Sequence, residues 1–399
     1  MAEAKRAMAT GMTQASVRAR NLALVLGEVM DNGGNVSRAD IAGRLGMTRS
    51  TVPRLVDDLI LGELVDEGEA VGGARGRPAV PLRIRSGTVF ALGLEVNVER
   101  MVSTLVDLTG ETVAREAIEL NTTELTVEEA MGHLSELALK TLEAMPDGAR
   151  VAGAILAVPG LVDRDGHRIV RAPNLGWEGF EPPSFWDVSF RGEEIPLFVR
   201  NDIDCSALTV LREAPGSSFL YVTGEVGIGA AVSMDGSLLS GRHGWASELG
   251  HICVDPDGTV CGCGAAGCLE TVAGLHALLD AAGQDDVESL VQALEDGDAK
   301  AHAAVQRIAE ALGIAIGAAL NLLDVSTVRL GGHLGRLGEW LREPLEKELV
   351  TRVLWAPHFG IKLEFIERAP LRAAMGAGLA ALGRVMRDPA AWVDPHLER

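Results

Sequence analysis

The chain is poor in aromatic residues, poor in cysteine, and without any long apolar run. Only 4% of its 399 residues are aromatic, with a single tyrosine, while glycine numbers 47. That balance argues against an all-β sandwich and for an α/β protein rich in tight turns. The longest uninterrupted apolar run, Leu312 to Leu320, stops at Asn321, well short of the ~20 residues that cross a bilayer. The opening segment MAEAKRAMATGMTQ lacks the apolar core of a secretion signal. The expectation is a cytoplasmic protein with no membrane partner. The five cysteines are Cys205, Cys253, Cys261, Cys263 and Cys268. In a reducing compartment such clustering reads as a metal site before it reads as disulfides.

Positive charge is also scarce: 36 Lys and Arg stand against 56 Asp and Glu, for a net charge of −20. Residues 1–85 carry +2 and the remaining residues −22. An acidic body repels DNA, so any DNA contact belongs to a projecting N-terminal module. The length fits two or three domains. With 47% apolar and 23% charged residues, the composition is that of a folding globular chain.

From Gln14 to Met30, Leu22, Val25, Leu26 and Val29 recur at helical spacing and predict one buried stripe. Asp31 to Asn35 ends that helix. Ser37 to Asp40 spells a capping box, with Ile41, Ala42 and Leu45 facing inward. Gly46 suits a left-handed turn. Thr48 can cap a third helix carrying the stripe Val52, Leu55, Val56 and Leu59. Leu64-Val65 and Leu82-Arg83-Ile84 flank a Gly- and Arg-rich turn and read as a β-wing. The whole is a winged helix-turn-helix. Arg49, Ser50, Thr51 and Arg54 then face outward where base edges would be reached, and Arg75 and Arg77 at the wing tip suit phosphates or a minor groove. The bland alternative is a three-helix, protein-binding module. Pro53, about five residues into the third helix, is expected to remove a backbone hydrogen bond and give a slight kink or a 3₁₀ start.

In the body, Val89 to Val96, Met101 to Asp107 and Thr112 to Leu120 read as strands. A helix over Thr126 to Ala144 and a strand at Val151 to Val158 follow. Phe219 to Val226 and Ile228 to Met234 read as strands around an Asp235-Gly236 turn, with long helices after them. The repetition suggests a duplication with a cleft between lobes. His251, Cys261, Cys263 and Cys268 offer one imidazole and three thiolates, the closed donor set of structural zinc. Cys205 and Cys253 read as isolated thiols packed in the core.

Several segments together resemble the ROK family of repressors, uncharacterised reading frames and sugar kinases. They are Ala172 to Trp177, Asn201-Asp202, Gly227-Ile228-Gly229, Gly236 to Leu239, Glu248 to His251, Cys261 to Glu270 and Leu330 to Gly332. The resemblance covers about 86–385. It implies an α/β fold, a two-lobed actin-like ATPase (ribonuclease H-like) domain preceded by an all-α winged helix-turn-helix module. The implied division is 1–85 for DNA binding, 86–210 for a first lobe to which a helix at 370–388 returns, and 211–369 for a second lobe carrying zinc. It also implies that Asn174, Asn201, Asp202, Glu248, His251 and Glu270 contact a sugar in the cleft. Carboxylates and amides suit a ring of hydroxyls. His251 would serve both the zinc and the sugar.

The family's kinases carry Asp-x-Gly-x-Thr on the first hairpin, where this chain reads Glu95-Val-Asn97-Val-Glu99. Their second phosphate loop, Gly-Thr-Gly-x-Gly, reads Glu225-Val226-Gly227-Ile228-Gly229 here. Asn97, Glu99, Glu225 and Val226 remove what would cradle a polyphosphate. Asp202, the family's catalytic base, does nothing without a phosphoryl donor. The expectation is a sugar-responsive transcriptional regulator, a repressor without kinase activity. It would bind operator DNA as a homodimer, or a tetramer, and a sugar would release it. A sugar kinase with a DNA-binding appendage is the alternative. A zinc sensor is disfavoured because a closed three-thiolate site is structural. Between Val199 and Ser240 only Arg200 and Arg212 are cationic, so an unphosphorylated sugar is expected over its 6-phosphate.

Overall fold

The protein is described by a computed structural model covering residues 14–69, 80–366 and 372–397. Helix α1 (Gln14–Asp31) buries Leu22, Val25, Leu26 and Val29, the stripe expected from spacing. Strand β1 (Val36–Ser37) leads into α2 (Arg38–Leu45), where Ser37 and Asp40 form the capping box. Gly46 closes α2 at φ 63°, a conformation that costs glycine nothing. Helix α3 (Thr51–Leu61) buries Val52, Leu55, Val56 and Leu59. Thr48 supports its start by accepting a hydrogen bond from the Thr51 amide at 3.2 Å.

Two expectations need correction here. The helix begins at Thr51, so Pro53 lies in its first turn. Amides there have no intrahelical acceptor, and Pro53 removes no hydrogen bond. Nor is the N-terminal unit all-α: β2 (Val65–Glu67) and β3 (Pro81–Ile84) pair antiparallel, and β1 adds to the other edge of β3.

The next strands, β4 (Val89–Val96), β5 (Arg100–Asp107) and β6 (Thr112–Glu119), form an antiparallel meander. After α4 (Val127–Leu142), strand β7 (Arg150–Val158) joins β4 in parallel. Strands β8 (Leu161–Val162), β9 (Ile169–Ala172) and β10 (Trp177–Phe180) make a small sheet, and β11 (Ser189–Phe190) pairs with β12 (Glu193–Glu194). Strand β13 (Leu197–Asn201) completes a five-stranded sheet of order β13-β7-β4-β5-β6 and runs straight into α5 (Asp202–Glu213). All eight residues of β4 are buried, because both faces are covered. Phe90, Leu92 and Leu94 share a core with α4, while Val89 and Ala91 share one with Ala377 and Ala381.

A second five-stranded sheet has the order β16-β15-β14-β17-β18. It is built from β14 (Phe219–Gly224), β15 (Ile228–Met234), β16 (Ser237–Leu238), β17 (Thr327–Gly331) and β18 (Lys362–Phe365). Like the first, it is an antiparallel meander extended by two parallel strands, so the two sheets share one topology. Helices α6 (Glu270–Ala273), α7 (Leu275–Ala282), α8 (Val287–Glu295), α9 (Ala299–Leu323), α10 (Gly332–Arg336), α11 (Gly338–Arg352) and α12 (Ala356–Phe359) belong to this half. Length and composition alone would let α9 cross a bilayer, although its longest unbroken apolar run is short. Its apolar face is instead spent in the core of this half, with Ile308, Leu312, Ile316 and Leu320 buried.

The chain then returns. Helix α13 (Arg372–Arg387) packs on β4, β7 and α5 of the first sheet, and α14 (Ala390–Leu397) packs on α1 and α3. The N-terminal unit is therefore seated, not merely projecting: Leu22, Leu59, Val89, Ala381 and Val393 belong to one continuous core. Arg18 pairs with Asp58 at 2.9 Å and Asp394 at 2.6 Å. Arg150 donates to the carbonyls of Gly62 at 2.7 Å and Trp392 at 3.2 Å.

Candidate functional site

A cavity of ≈ 270 Å³ lies between the two large sheets, and Asn174, Asn201, Asp202, Glu248, His251 and Glu270 all line it. A few local devices deliver them. Asn201 ends β13 and caps α5, its Oδ1 accepting from the amides of Ile203 at 2.9 Å and Asp204 at 3.0 Å. Its Nδ2 donates to Gly160 O at 3.1 Å, which leaves one amide proton for a ligand. Asp202 follows as the first residue of α5. Burial, reinforced by the Glu225 and Glu95 carboxylates, pushes its carboxyl up to about 7. Glu270 opens α6 and accepts from the Ile228 amide at 3.3 Å. A Cβ at Gly227 would overlap that carboxylate, so glycine is needed where the loop meets Glu270. Asn174 sits in the 3₁₀ turn Pro173–Leu175, exposed to the cleft.

Glu248 caps the 3₁₀ turn Leu249–His251, and His251 ends it. His251 faces two ways. Its Nε2 lies 3.9 Å from Glu248 Oε2, on the cleft side. Its Nδ1 lies 3.8 Å from Cys261 Sγ. The ligating atoms of His251, Cys261, Cys263 and Cys268 all fall within 4.8 Å of one another, and the Sγ atoms of Cys263 and Cys268 are 3.7 Å apart. The edge of a tetrahedron with ~2.3 Å zinc–sulfur bonds is about 3.8 Å. The donor set and its spacing therefore fit a tetrahedral metal ion, with His251 bridging it to the cleft. Cys205 is buried as a core thiol should be, but Cys253 is exposed, a correction to its expected place in the core; its backbone bridges Cys268 while its thiol is not part of the four-residue cluster.

The two loops expected to hold phosphate in a kinase are occupied by the chain's own side chains. Arg100 pairs with Glu95 at 2.7 Å and with Glu225 at 3.5 Å. Glu95 is almost completely buried; burial raises its carboxyl, and the Arg100 cation opposes that. Asn97 folds back, donating to Glu95 at 3.1 Å and accepting from the amides of Glu99 and Arg100 at 3.0 Å each. Glu99, expected to face the phosphate region, is exposed and outside the cavity lining.

Sequence reasoning missed the cleft cations. Arg100, Arg171 and Arg372 all line the cavity, so the expectation of no cation beyond Arg200 and Arg212 does not hold. Arg100 was within reach of inspection: a tight hairpin between β4 and β5 returns it beside Glu95. Its second partner is 125 residues away and leaves no local signal.

On the N-terminal unit, Arg49, Ser50 and Arg54 are exposed at the start of α3, and Thr51 is half-buried, bonded to Thr48 at 2.7 Å. Arg49 and Arg54 make no ion pair among the described residues. Arg75 and Arg77 lie outside the described residues.

Comparison with known proteins follows the same lines. The description of the ROK family matches residues 91–382. A xylose repressor of Caldicellulosiruptor bescii is 25% identical over 311 residues, spanning 72% of this chain and 77% of the relative. A glucokinase of Halalkalibacterium halodurans is 30% identical over 225 residues, 51% of this chain and 67% of the relative. Among solved structures, a ROK family transcriptional regulator homologous to the Escherichia coli Mlc protein superposes with a TM-score of 0.80. It is 25% identical and covers 95% of this chain and 99% of its own.

Proposed function

The chain belongs to the ROK family, and from that premise we propose that it is a sugar-responsive transcriptional repressor without kinase activity. One observation carries the reading. The residues suited to a sugar are all in the cleft, while the region where a kinase would hold polyphosphate is filled by Glu95, Arg100 and Glu225. The xylose repressor match spans 72% of this chain and the transcriptional-regulator structure 95%, whereas the glucokinase match spans 51% of this chain.

In this reading α2, the Gly46 turn and α3 form a helix-turn-helix with β2 and β3 as the wing base. Arg49, Ser50, Thr51 and Arg54 meet bases, and Arg75 and Arg77 meet phosphates or a minor groove. A homodimer presents two such modules to a symmetric operator. Asn174, Asn201, Asp202, Glu248, His251 and Glu270 satisfy the hydroxyls of a sugar. Zinc is the ion best matched to three thiolates and an imidazole, and when bound it supplies structure and no open position for catalysis. A bound ion would hold His251 in one orientation and leave its other ring nitrogen for Glu248 and a sugar hydroxyl.

The signal has a physical route. Arg372 and Ala373, at the N-terminus of α13, line the cleft, and α14 just beyond its other end packs on α1 and α3. A sugar that favours a more closed cleft shifts α13 and with it the modules' spacing, so that two recognition helices no longer match successive major grooves. A thermal-shift screen of neutral sugars, run with an ATP-turnover assay, tests the proposal. One sugar should raise the melting temperature, and ATP turnover with it should not exceed that of Asp202→Ala. Turnover well above that control would replace the repressor reading with a kinase.

A further inference from the structure

The Glu95, Arg100 and Glu225 cluster is more than an obstacle to nucleotide. Arg100 starts β5 in the first sheet's half, and Glu225 sits in the turn between β14 and β15 in the second. The two halves are thus tied across the cleft by the chain's own charges. The Arg100 side chain is only 19% exposed, whereas Glu225 is 54% exposed, so one end of the tie is anchored and the other is free to leave. The anchored end is well fixed. Glu95 Oε1 accepts from Arg100 and Asn97, and Glu95 Oε2 accepts from the Ala374 amide in the first turn of α13 at 3.2 Å. A carboxylate at a helix N-terminus is favourably placed.

We propose that Arg100 is a positioning residue that takes the place of a bound nucleotide, latching Glu225 of one lobe to Glu95 of the other and thereby registering lobe closure at the N-terminus of α13. In a nucleotide-binding relative, a polyphosphate would be the charged object contacted by both phosphate loops. Here one guanidinium meets a carboxylate from each loop, so a single cation is shared by both lobes. The latch needs no co-ligand, so one small molecule in the sugar half of the cleft suffices to move the lobes. This inference deepens the repressor reading in purpose, but the contact and its test stand without sugar or DNA.

The variant to make is Glu225→Gln in the full-length protein. It breaks the interlobe pair and leaves the buried Glu95–Arg100 pair intact. Arg100→Ala would strand the buried Glu95 carboxylate and could fail to fold, so it serves only as a comparison. Two readouts apply: interlobe distance by spin labels placed on α4 and α11, and hydrogen exchange at the Ala374 amide. A partly exposed pair of this kind shifts an equilibrium by roughly two- to fivefold. Glu225→Gln should widen the interlobe distribution and speed exchange at Ala374 by about that factor. Wild-type protein in about 1 M salt should approach the variant, because exposed charges are screened there. Unchanged distances and exchange in a folded Glu225→Gln protein would overturn the latch, whatever sugar or DNA the protein binds. A sugar screen without any hit, alongside the expected widening, would instead fail the repressor reading and keep the latch.

Discussion

Replacing Asp202 with asparagine should remove most of one pH-dependent slope from the protein's stability. Asp202 lies among Glu95, Glu225 and the N-terminus of α5, and its carboxyl is pushed from an ordinary 3.8 up to about 7. Burial is the main cause, and the two carboxylates add to it. A carboxyl raised on folding holds its proton longer in the native state than in the unfolded chain. The native state therefore binds more protons between about pH 4 and pH 7, and stability falls as pH rises through that window. The cost is nearly absent below pH 4 and complete above pH 7. One pK unit corresponds to about 1.4 kcal/mol, so the full effect is on the order of 4 kcal/mol, of which about 2 to 3 kcal/mol falls between pH 5 and pH 8. The asparagine side chain has no proton to lose in this range. Urea denaturation of wild type and Asp202→Asn at pH 5, 6, 7 and 8 measures the difference, in which other titrating groups largely cancel. The variant should gain on wild type by about 2 to 3 kcal/mol across that range. Parallel pH profiles would show that Asp202 ionises near its ordinary value, and that its surroundings have been misread.

Three further outcomes are expected. Cys263→Ser should lose bound metal, measured by atomic absorption, and lower the melting temperature. It should also abolish the sugar response, because His251 would lose its fixed orientation; a metal-free protein with normal sugar binding would sink that coupling. Arg54→Ala should weaken binding to selected DNA by about 1–3 kcal/mol while changing random-DNA binding little, and Arg75→Ala should weaken both and lower the salt slope by about one. Calorimetry should find the free sugar binding more tightly than its 6-phosphate. Arg100 does not alter this sign, since Glu95 and Glu225 already occupy it and Asp202 stands beside them; tighter binding of the phosphate would give Arg171 or Arg372 the role of anion receptor.

How much of this was readable in the residues depends on distance along the chain. The capping box at Ser37, the turn at Gly46 and the stripes of α1 and α3 are local, with causes inside a few residues. The Cys261 to Cys268 cluster is legible for the same reason, and six dispersed cleft residues were found through the family pattern. Long-range charge placement was not legible. Glu225 read as a vacant negative charge until Arg100 appeared between it and Glu95. Glu99 read as a cleft residue, although the β4–β5 hairpin turns it to solvent. The seating of the N-terminal unit on α14 depends on contacts such as Arg18 with Asp394, 376 residues apart, and no periodicity encodes those. Pro53 was misjudged by a shift of helix start, the least certain feature of any sequence reading.

The central claim is that a sugar in the cleft changes DNA affinity without being chemically altered. The direct measurement is fluorescence anisotropy with a duplex that this protein has itself selected from a random-sequence pool. It is titrated with and without a saturating concentration of the sugar that gives the thermal shift, with recovered sugar checked by mass spectrometry. The account predicts a loss of DNA affinity of about 5- to 150-fold, the usual range of coupling between two sites, and sugar recovered at its original mass even when ATP is present. Equal affinity with and without the bound sugar, or recovery of a phosphorylated sugar, would contradict it.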